Sequence, residues 1–472
     1  MTTDSDQIHL AVLGAGPGGY PAAFLASELG MHVTLIDTEE NPGGVCLYRG
    51  CIPSKALLHV ARVQHEVSEA AEFGLHFGKP EIDLDALRDW KRRVVAKLTS
   101  GLGTISRARK VEYVRGRGRF VDPHTLRVAN DGELVEVGFD FAIVATGSSP
   151  ALPGPLRVDS PRVWDSTVAL ELREVPRRLL VVGGGYIGLE LGSVYATLGS
   201  AVTVVEMTNG LLPGADRDLV DVLRKSIAPR FAEILLGTRV TKLEDTGNEV
   251  RATLVGADVD ETRAYDAVLV AVGRRPNSAD LGLEHTKVIV DDRGFVATNA
   301  QRRTAEPSIF AIGDVAGEPM LAHKATHEAR AAVEAIAGEP SAFDPAAIPA
   351  VVFTDPELAW TGLTENSARE HAIDVEVVKF PWAASGRAVT LDRTDGLTKL
   401  ILEPGTERVL GAGIVGVHAG ELIGEATLAV ELGARADDLR FTIHAHPTLS
   451  ETLMEAAETF FGQSPHYVAR RR

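Results

Sequence analysis

Two stretches of the chain carry the same order of apolar and polar positions. Residues 8–14, IHLAVLG, form a short apolar run that predicts a buried strand. The glycines that follow this run begin a helical pattern that continues to about Leu29. Residues 31–37, MHVTLID, then predict a second strand. The order of strand, glycines, helix and strand returns at residues 177–206. This internal repeat predicts two doubly wound α/β domains in tandem.

The rest of the chain divides around three more apolar strands that run into glycine turns, at residues 141–147, 267–277 and 308–314. Four prolines between Pro150 and Pro161 mark a linker. From about Pro349 the pattern changes to alternating strands and then to two helical stretches, 421–433 and 449–461. This change predicts a separate α+β domain at the C-terminal end.

Size and charge narrow the class of protein. The 472 residues exceed the roughly 250–300 that one hydrophobic core usually holds, so several domains are expected. The formal net charge of −17 disfavours nucleic acid and anionic lipid as partners. No apolar run approaches the ~20 residues of a membrane span, and the acidic start MTTDSDQIHL lacks the features of a secretory or mitochondrial leader. We therefore expect a cytoplasmic protein with neither a membrane span nor a nucleic-acid site.

Both repeats contain the spacing G-x-G-x-x-G directly after the first strand. The glycines are Gly14, Gly16 and Gly19 in the first repeat and Gly183, Gly185 and Gly188 in the second. In this spacing the first glycine makes a tight turn, the second lets a pyrophosphate approach and the third lets the helix pack on the strand. An acid follows the last glycine by eighteen residues in both repeats, Asp37 in one and Glu206 in the other. The pattern predicts two dinucleotide sites.

The second acid also indicates which dinucleotide binds there. A carboxylate at this position hydrogen-bonds a free ribose 2′-hydroxyl and repels a 2′-phosphate. The residues after Glu206 are Met207, Thr208 and Asn209, none of which is an arginine that would hold that phosphate. We therefore expect NAD rather than NADP.

The only two cysteines of the chain, Cys46 and Cys51, stand five positions apart in GGVCLYRGCIPSK. They are either a structural disulfide, two buried free thiols or a redox-active pair. A structural disulfide is rare in the cytosol, and closure of so short a loop contributes only ~2 kcal/mol. A metal site normally needs four ligands, and a second cysteine pair is missing, so no metal is expected. A short exposed disulfide is typical of redox-active pairs.

A redox pair works through its thiolate, which forms only if the thiol pKa falls or a base takes the proton. Lowering a thiol pKa by ~2 units needs about 2.7 kcal/mol, whereas a helix N-terminus near Pro53 supplies ~1 kcal/mol. A base is therefore needed. The segment HAHPTLSE at 444–451 offers His446, with Glu451 placed to orient its imidazole if the chain turns at Pro447. His444 is the second candidate for the base.

Together these motifs resemble those of the class I pyridine nucleotide-disulfide oxidoreductases, and among them the dihydrolipoyl dehydrogenases. The Cys-x4-Cys segment and HAHPTLSE are the most specific features, while IPSK at 52–55 and FPWAASGRA at 380–388 favour the lipoamide branch over glutathione-type reductases. The similarity runs from end to end through GAGPGGY at 14–20, VATGS at 144–148, GGGYIGLELG at 183–192, VGRRPN at 272–277, FAIGD at 310–314, VVFTDPELAWTGLTE at 351–365 and GIVGVHAGELIGEA at 413–426.

The resemblance implies a fold and two cofactors. It implies two tandem Rossmann-like domains and a C-terminal α+β dimerisation domain, with FAD bound by residues 1–150 and 280–348, NAD by 151–279, and the interface made by 349–472. The residues implied for FAD are Gly14, Gly16, Gly19, Asp37, Lys55, Gly118, Thr146, Gly147, Asp314 and Ala322. Those implied for NAD are Gly183, Gly185, Tyr186, Ile187, Gly188, Glu206, Val240 and Gly273.

The resemblance also implies roles for the reactive side chains. Cys51 is the sulfur against the flavin and Cys46 exchanges with the substrate. Lys55 lies near the flavin, paired with Glu190 beside the nicotinamide. His446, oriented by Glu451, is the base, and it reaches the cysteines of the other subunit of a homodimer. The implied partners are lipoyl domains of 2-oxo-acid dehydrogenase acyltransferases or of the glycine-cleavage carrier protein.

Three features depart from the family pattern: Tyr48 and Arg49 between the cysteines, Gly386 where a larger side chain is more common, and a tail after Gly462 without an assigned role. Two other functions stay open at this point. One is a relative that reduces a different disulfide. The other is a non-catalytic subunit, a flavin-bearing scaffold or NAD-sensing protein held in a complex.

Overall fold

The computed structural model describes residues 7–78, 80–130 and 132–468, so the acidic start at 1–6 and the end of the tail at 469–472 lie outside the described residues. The first part of the chain forms a nucleotide-binding unit with two long helices inserted after its second strand. Its elements are β1 (His9–Leu13), α1 (Gly19–Glu28), β2 (His32–Asp37), α2 (Gly44–Arg49), α3 (Cys51–Glu69), α4 (Leu84–Ala108), β3 (Glu112–Arg115), β4 (Arg117–Asp122), β5 (Thr125–Asn130), β6 (Glu133–Gly138), β7 (Phe141–Val144) and β8 (Ser148–Pro150).

The second part of the chain repeats this plan. Its elements are β9 (Val163–Trp164), α5 (Ser166–Glu171), β10 (Arg178–Val182), α6 (Tyr186–Thr197), β11 (Ala201–Val205), α7 (Arg217–Ile227), β12 (Glu233–Leu235), β13 (Thr238–Asp245), β14 (Val250–Gly256), β15 (Asp260–Tyr265), β16 (Ala267–Val270) and β17 (Arg274–Pro276). The chain then returns to the first unit with β18 (Ile309–Ala311) and α8 (Ala322–Ile336).

The remaining elements form a unit with its own sheet. They are β19 (Ala350–Val352), β20 (Glu357–Gly362), α9 (Glu365–Glu370), β21 (Glu376–Pro381), α10 (Gly386–Thr390), β22 (Leu397–Leu402), β23 (Val409–Gly416), α11 (Ala419–Glu431), α12 (Ala436–Phe441) and α13 (Glu451–Phe460). The sheet has the order β19-β20-β23-β22-β21 and is antiparallel throughout.

The two nucleotide units are built alike. The first has a parallel sheet of order β18-β7-β1-β2-β3, and the second has a parallel sheet of order β12-β11-β10-β16-β9. An antiparallel three-stranded sheet accompanies each of them, β4-β5-β6 in the first and β13-β14-β15 in the second. The expected α/β class, with tandem Rossmann-like units and a C-terminal α+β unit, is confirmed. The residue boundaries given above for the domains stay a prediction.

Side-chain alternation along the central strands explains why both faces of each parallel sheet are covered. In β1, Leu10 and Val12 pack toward α1 and α8, whereas Ala11 and Leu13 pack toward the β4–β6 sheet. All four side chains are nearly or fully buried. A parallel sheet buried on both faces needs a continuous apolar strand, which is the pattern of IHLAVLG.

The region of the two cysteines differs from the sequence expectation. The sequence predicts a single helix start near Pro53, but the chain forms two helices, α2 and then α3, which begins at Cys51. Gly50 separates them, and a Cβ on Gly50 would lie 2.9 Å from the carbonyl oxygen of Val45. A side chain at this position would displace Val45, so glycine allows the chain to turn sharply there. The turn brings the two cysteines together.

Among the described residues, no helix is both long and apolar enough to cross a membrane.

A buried lysine joins the second nucleotide unit to the C-terminal unit. The Lys399 ammonium donates to Asp216 Oδ2 at 2.9 Å, Asp218 Oδ1 at 2.6 Å and Glu365 Oε1 at 2.7 Å. Its side chain is completely buried. Burial alone would lower the pKa of Lys399, but the hydrogen bonds to the three carboxylates raise it, so the lysine is charged. Asp216 also accepts the backbone N–H of Glu365, which fixes α9 against the start of α7.

We predict that Lys399→Met destabilises the protein strongly, because three carboxylates lose their buried counter-ion. Removal of one partner from a buried ionic group typically costs about 3–5 kcal/mol. Lys379→Met is the matched control, since Lys379 also contacts Asp218 and Glu365 but is half-exposed. It should cost less than about 1 kcal/mol. Urea unfolding followed by tryptophan fluorescence measures both, and equal losses in the two variants would contradict the assignment.

Candidate active site

Cys46 and Cys51 form a disulfide where α2 gives way to α3. Cys46 lies in the middle of α2, Cys51 is the first residue of α3, and their Cα atoms are 4.7 Å apart. Both residues are partly exposed. The pair is therefore within reach of an external thiol, which a buried structural crosslink would not be.

Backbone contacts hold the disulfide segment against the first glycine motif. The N–H of Gly43 donates to the carbonyl of Ala15 at 2.8 Å. A Cβ on Gly44, which has a φ of +57°, would lie 2.4 Å from Gly16 Cα. The two glycine-rich segments thus touch backbone to backbone, and any side chain at Gly44 would push them apart.

The glycines of the two motifs divide into those that the chain itself requires and those that face open space. A Cβ on Gly14 would lie 2.4 Å from the carbonyl oxygen of Ala145, and one on Gly183 would lie at the same distance from that of Ala271. The third glycines, Gly19 and Gly188, are equally restricted, because a Cβ on them would lie 1.7 Å and 2.1 Å from the oxygen of the first glycine in each motif.

The second glycines are different. A Cβ on Gly16 would have Gly44 Cα at 3.9 Å as its nearest neighbour, and a Cβ on Gly185 would meet no described atom within 4 Å. Glycine at these positions is therefore not required by packing within the chain. It leaves room at the start of a helix, where unpaired N–H groups favour an anion.

The acid of each repeat makes the same two backbone contacts. Asp37 accepts the N–H of Ala15 at 2.6 Å and that of Glu39 at 3.0 Å. Glu206 accepts the N–H of Gly184 at 2.8 Å and that of Thr208 at 2.8 Å. Each carboxylate is thereby fixed beside its glycine turn, and its remaining lone pairs can accept hydroxyl groups of a ribose.

Glu190 is a buried carboxylate that contacts all three units of the chain. It lies on α6, and its Oε2 accepts the Lys55 ammonium at 2.8 Å and the Ser54 hydroxyl at 3.1 Å, both from α3. Its Oε1 accepts the N–H of Phe353 at 3.0 Å from the C-terminal unit. The Lys55 ammonium also lies 4.5 Å from the centre of the Phe353 ring. The pairing of Lys55 with Glu190 thus sets a charged group one helical turn from Cys51.

The two histidines of HAHPTLSE have different surroundings. His446 Nδ1 lies 2.9 Å from Glu451 Oε1, and Glu451 Oε2 accepts the N–H of Thr448 at 2.7 Å. The His446 side chain is 73% exposed. Because the carboxylate accepts a hydrogen bond from Nδ1–H, Nε2 is left free to accept a proton from a thiol. His444 is hydrogen-bonded to Glu425 at 2.7 Å and its side chain is only 4% exposed, so it is far less accessible than His446.

Comparisons with known proteins agree with this geometry. The pyridine nucleotide-disulphide oxidoreductase family matches residues 8–329, and the dimerisation domain of that family matches residues 348–457. A dihydrolipoyl dehydrogenase of Haemophilus influenzae is 49% identical over 455 residues, which are 96% of this chain and 95% of the relative.

Two solved structures share the fold. LpdA of Mycobacterium tuberculosis has a TM-score of 0.89 at 28% identity, covering 96% of this chain and 99% of that chain. The HOCl-induced flavoprotein disulfide reductase RclA of Escherichia coli has a TM-score of 0.85 at 30% identity, covering 95% of this chain and 99% of that chain. The chain belongs to the pyridine nucleotide-disulphide oxidoreductase family.

Membership of this family confirms FAD and NAD(H) as the cofactors. The residues present fit both groups. Each unit offers an open position at its second glycine, Gly16 or Gly185, at the start of a helix. Each also offers a carboxylate fixed beside that glycine turn, Asp37 or Glu206. A dinucleotide needs both features, one for its pyrophosphate and one for its ribose.

The other residues expected at the cofactors lie around these two turns, and their contacts with cofactors stay a proposal. In the first unit, Thr146 and Gly147 are both hydrogen-bonded to Asn277. The Asp314 carboxylate accepts a hydrogen bond from the Ser148 hydroxyl. The remaining positions are Gly118 in β4, Ala322 at the start of α8, Tyr186 and Ile187 at the start of α6, Val240 in β13, and Gly273 just before β17.

Glu328, which the sequence does not single out, fixes the segment before Asp314. Glu328 is completely buried on α8, and its Oε2 accepts the N–H of Gly313 at 2.6 Å. Its Oε1 pairs with Lys324 at 3.0 Å and with Arg302 at 2.9 Å. The sequence signal for this ion pair is a lysine four residues before a glutamate in an alanine-rich helix. The same pattern is common on exposed helix surfaces, so it does not indicate burial.

We predict that Gly185→Val leaves the fold and FAD content intact but weakens NADH binding about tenfold or more, because the new side chain fills the space left for the pyrophosphate. Gly101→Val is the matched control, since a Cβ on Gly101 in α4 also meets no described atom within 4 Å. Stopped-flow measurement of flavin reduction at varied NADH gives the apparent affinity. Unchanged affinity in Gly185→Val would contradict the placement of NAD on this turn.

Proposed function

We propose that this protein is a dihydrolipoyl dehydrogenase, which oxidises protein-bound dihydrolipoyl groups through the Cys46–Cys51 disulfide and FAD to NAD. The observation that carries the proposal is the partly exposed disulfide held backbone to backbone against the first glycine motif. The dihydrolipoyl dehydrogenase relative, with 49% identity across 96% of the chain, supports the lipoyl group as the substrate.

In the proposed reaction a dihydrolipoyl thiol gives its proton to Nε2 of His446, and the resulting thiolate attacks Cys46 Sγ. The Cys46–Cys51 bond breaks, and Cys51 leaves as a thiolate. The second dihydrolipoyl thiol then attacks the lipoyl sulfur bound to Cys46, and its proton passes to Cys46 as that residue leaves. This closes the lipoyl disulfide and leaves a Cys46 thiol and a Cys51 thiolate, with the other proton on His446. One dithiol is oxidised by two electrons, and one protein disulfide is reduced to a dithiol.

Carboxylates pair with the proposed base and with the lysine beside the disulfide. Glu451 accepts a hydrogen bond from the Nδ1–H of His446, so it orients the ring and stabilises the imidazolium after the thiol proton has reached Nε2. Glu190 balances the charge of Lys55, one turn along α3 from Cys51. FAD and NAD, when bound, supply the route by which the electron pair of the cysteine dithiol leaves the protein.

We propose that the active protein is a cytoplasmic homodimer in which His446 of one subunit serves the disulfide of the other. The match to the family's dimerisation domain supports the dimer. The exposure of His446 supports its use by another chain, since the structure shows no contact between His446 and either cysteine within the described residues. The proposed partners are lipoyl domains of 2-oxo-acid dehydrogenase acyltransferases or of the glycine-cleavage carrier protein.

Turnover of different disulfides separates this function from the alternatives. With NAD as acceptor, dihydrolipoamide should be oxidised much faster than other dithiols, and with NADH as donor, lipoamide should be reduced much faster than glutathione disulfide. Preference for another disulfide would replace the lipoyl assignment. Failure of NADH to reduce the bound flavin would instead favour a non-catalytic subunit.

We predict that Cys46→Ser abolishes dihydrolipoamide oxidation while FAD stays bound, because the substrate thiolate loses the sulfur that it attacks. NADH oxidation with an artificial dye measures the part of the reaction that does not need the disulfide, and it should persist. Full dihydrolipoamide turnover in the variant would refute the exchange role of Cys46.

We also predict that His446→Gln slows flavin reduction by dihydrolipoamide by about 10²–10⁴-fold, the usual contribution of a general base. Dye reduction by NADH should change by less than about threefold, since no thiol proton moves in that step. His444→Gln is the matched control, because His444 is also paired with a glutamate but is buried. Equal losses in the two half-reactions of His446→Gln, or equal losses in both variants, would count against His446 as the base.

A further inference from the structure

Tyr48 and Arg49, between the two cysteines, both contact the segment that follows Asp37. The Tyr48 hydroxyl donates to the carbonyl of Asn41 at 3.1 Å and accepts the N–H of the same residue at 3.2 Å. Arg49 forms an ion pair with Glu39. Both contacts start from α2, the helix that carries Cys46, and end on the loop formed by residues 38–41.

This loop is itself held by rigid elements. The Tyr113 hydroxyl of β3 donates to the carbonyl of Glu39 at 2.9 Å, and burial raises the pKa of Tyr113, so the phenol stays protonated as a donor. Arg115 of the same strand donates to the carbonyl of Thr38 at 3.1 Å. On the other side, Asn41 lies against α4, since a Cβ on Gly103 would come within 2.0 Å of Asn41 Oδ1. The loop is therefore a fixed support.

The backbone contacts of Gly43 and Gly44 with the first glycine motif hold the start of α2, whereas Tyr48 and Arg49 lie at its other end. The helix has six residues, which is too short for a helix to be stable by itself. Leu47 is its only fully buried residue. A cleft of about 590 Å³ opens beside Tyr48 and Arg49, with Pro53, Lys91 and Thr99 among the residues of its walls. The end of α2 that carries Tyr48 and Arg49 therefore has space beside it, whereas its start is fixed.

We propose that Tyr48 and Arg49 are positioning residues that keep Cys46 beside Cys51 while the pair is reduced. The proposal rests on the redox cycle of the disulfide under the proposed function. In the oxidised protein the sulfur–sulfur bond holds α2 to α3. In the dithiol form that bond is gone, and the contacts from Tyr48 to Asn41 and from Arg49 to Glu39 keep the two thiols within reach of each other.

The restraint affects the dithiol form and the disulfide form of the protein differently, which gives the direction of the change in the redox equilibrium. A restraint that keeps two thiols close favours their closure to a disulfide, so it makes the protein harder to reduce. Loss of the restraint lets the dithiol form occupy more conformations and stabilises that form alone. Variants that break either contact should therefore be easier to reduce and slower to close the disulfide again.

The test is the equilibrium of the holoenzyme with reduced and oxidised dithiothreitol. Two electrons and two protons pass from one dithiothreitol to the Cys46–Cys51 disulfide, giving the protein dithiol and the cyclic disulfide of the reagent. The chain has only two cysteines, so alkylation and mass measurement count the reduced fraction directly. Tyr48→Phe should raise the equilibrium constant for reduction about threefold to tenfold, and tenfold corresponds to about 30 mV for this two-electron couple.

Three matched variants separate positioning from other effects. Tyr113→Phe removes a hydrogen bond to the same loop without touching α2, and it should shift the equilibrium less than about twofold. Arg49→Gln and Glu39→Gln break the same ion pair but change the charge in opposite directions. A positioning role makes both easier to reduce, whereas a direct electrostatic effect on the thiolates shifts them oppositely.

An unchanged equilibrium in Tyr48→Phe, an equal shift in Tyr113→Phe, or opposite shifts in Arg49→Gln and Glu39→Gln would each overturn the proposal. Dithiothreitol makes this test independent of the lipoyl substrate. If the unaltered protein is reduced by dithiothreitol but not by dihydrolipoamide, the proposed function fails while the test of Tyr48 and Arg49 still gives an answer.

Discussion

The backbone contact between two glycine-rich segments is the constraint on which the site depends. Gly44 lies against Gly16, and Gly43 donates to Ala15, so the start of α2 cannot move relative to the turn after β1. This contact connects the redox disulfide to the first dinucleotide turn without any intervening side chain. A glycine is needed at Gly44 both for its positive φ and for the close approach. The same few atoms therefore set the position of the start of α2 and the shape of the turn.

Buried charged side chains connect the three units of the chain to one another. Glu190 reaches from the second nucleotide unit to Lys55 beside the disulfide and to the backbone of Phe353 in the C-terminal unit. Lys399 of the C-terminal unit reaches back to the second nucleotide unit through Asp216, while it also binds Glu365 of its own unit. Charges buried in this way are costly to leave unpaired, so they hold the units in one relative arrangement.

The parts of the fold that repeat could be predicted from the sequence. The strands that precede each glycine motif are continuous apolar runs, and a parallel sheet covered on both faces requires such runs. The acids Asp37 and Glu206 could be predicted as well, because their spacing from the glycines is fixed by the length of a helix and a strand. The pairing of His446 with Glu451 was accessible because the two residues are only five positions apart and a proline lies between them.

The parts that depend on tertiary contacts could not be predicted. α2 is too short to show a helical period, so the sequence indicated only a glycine-rich segment there. Glu328 and Lys399 look like surface residues, because nothing in the local sequence shows that oppositely charged or polar groups from other elements will meet them. The contacts of Tyr48 with Asn41 and of Arg49 with Glu39 belong to the same class, since they depend on how the loop after β2 turns.

The central claim is that Cys46 and Cys51 exchange electrons with NAD(H) through the bound flavin. Anaerobic addition of about one equivalent of NADH to the FAD-loaded protein, followed by alkylation and peptide mass analysis, tests this claim most directly. The account predicts that NADH is consumed and that Cys46 and Cys51 of the same chain become alkylated. Consumption of NADH with the disulfide left intact would contradict it.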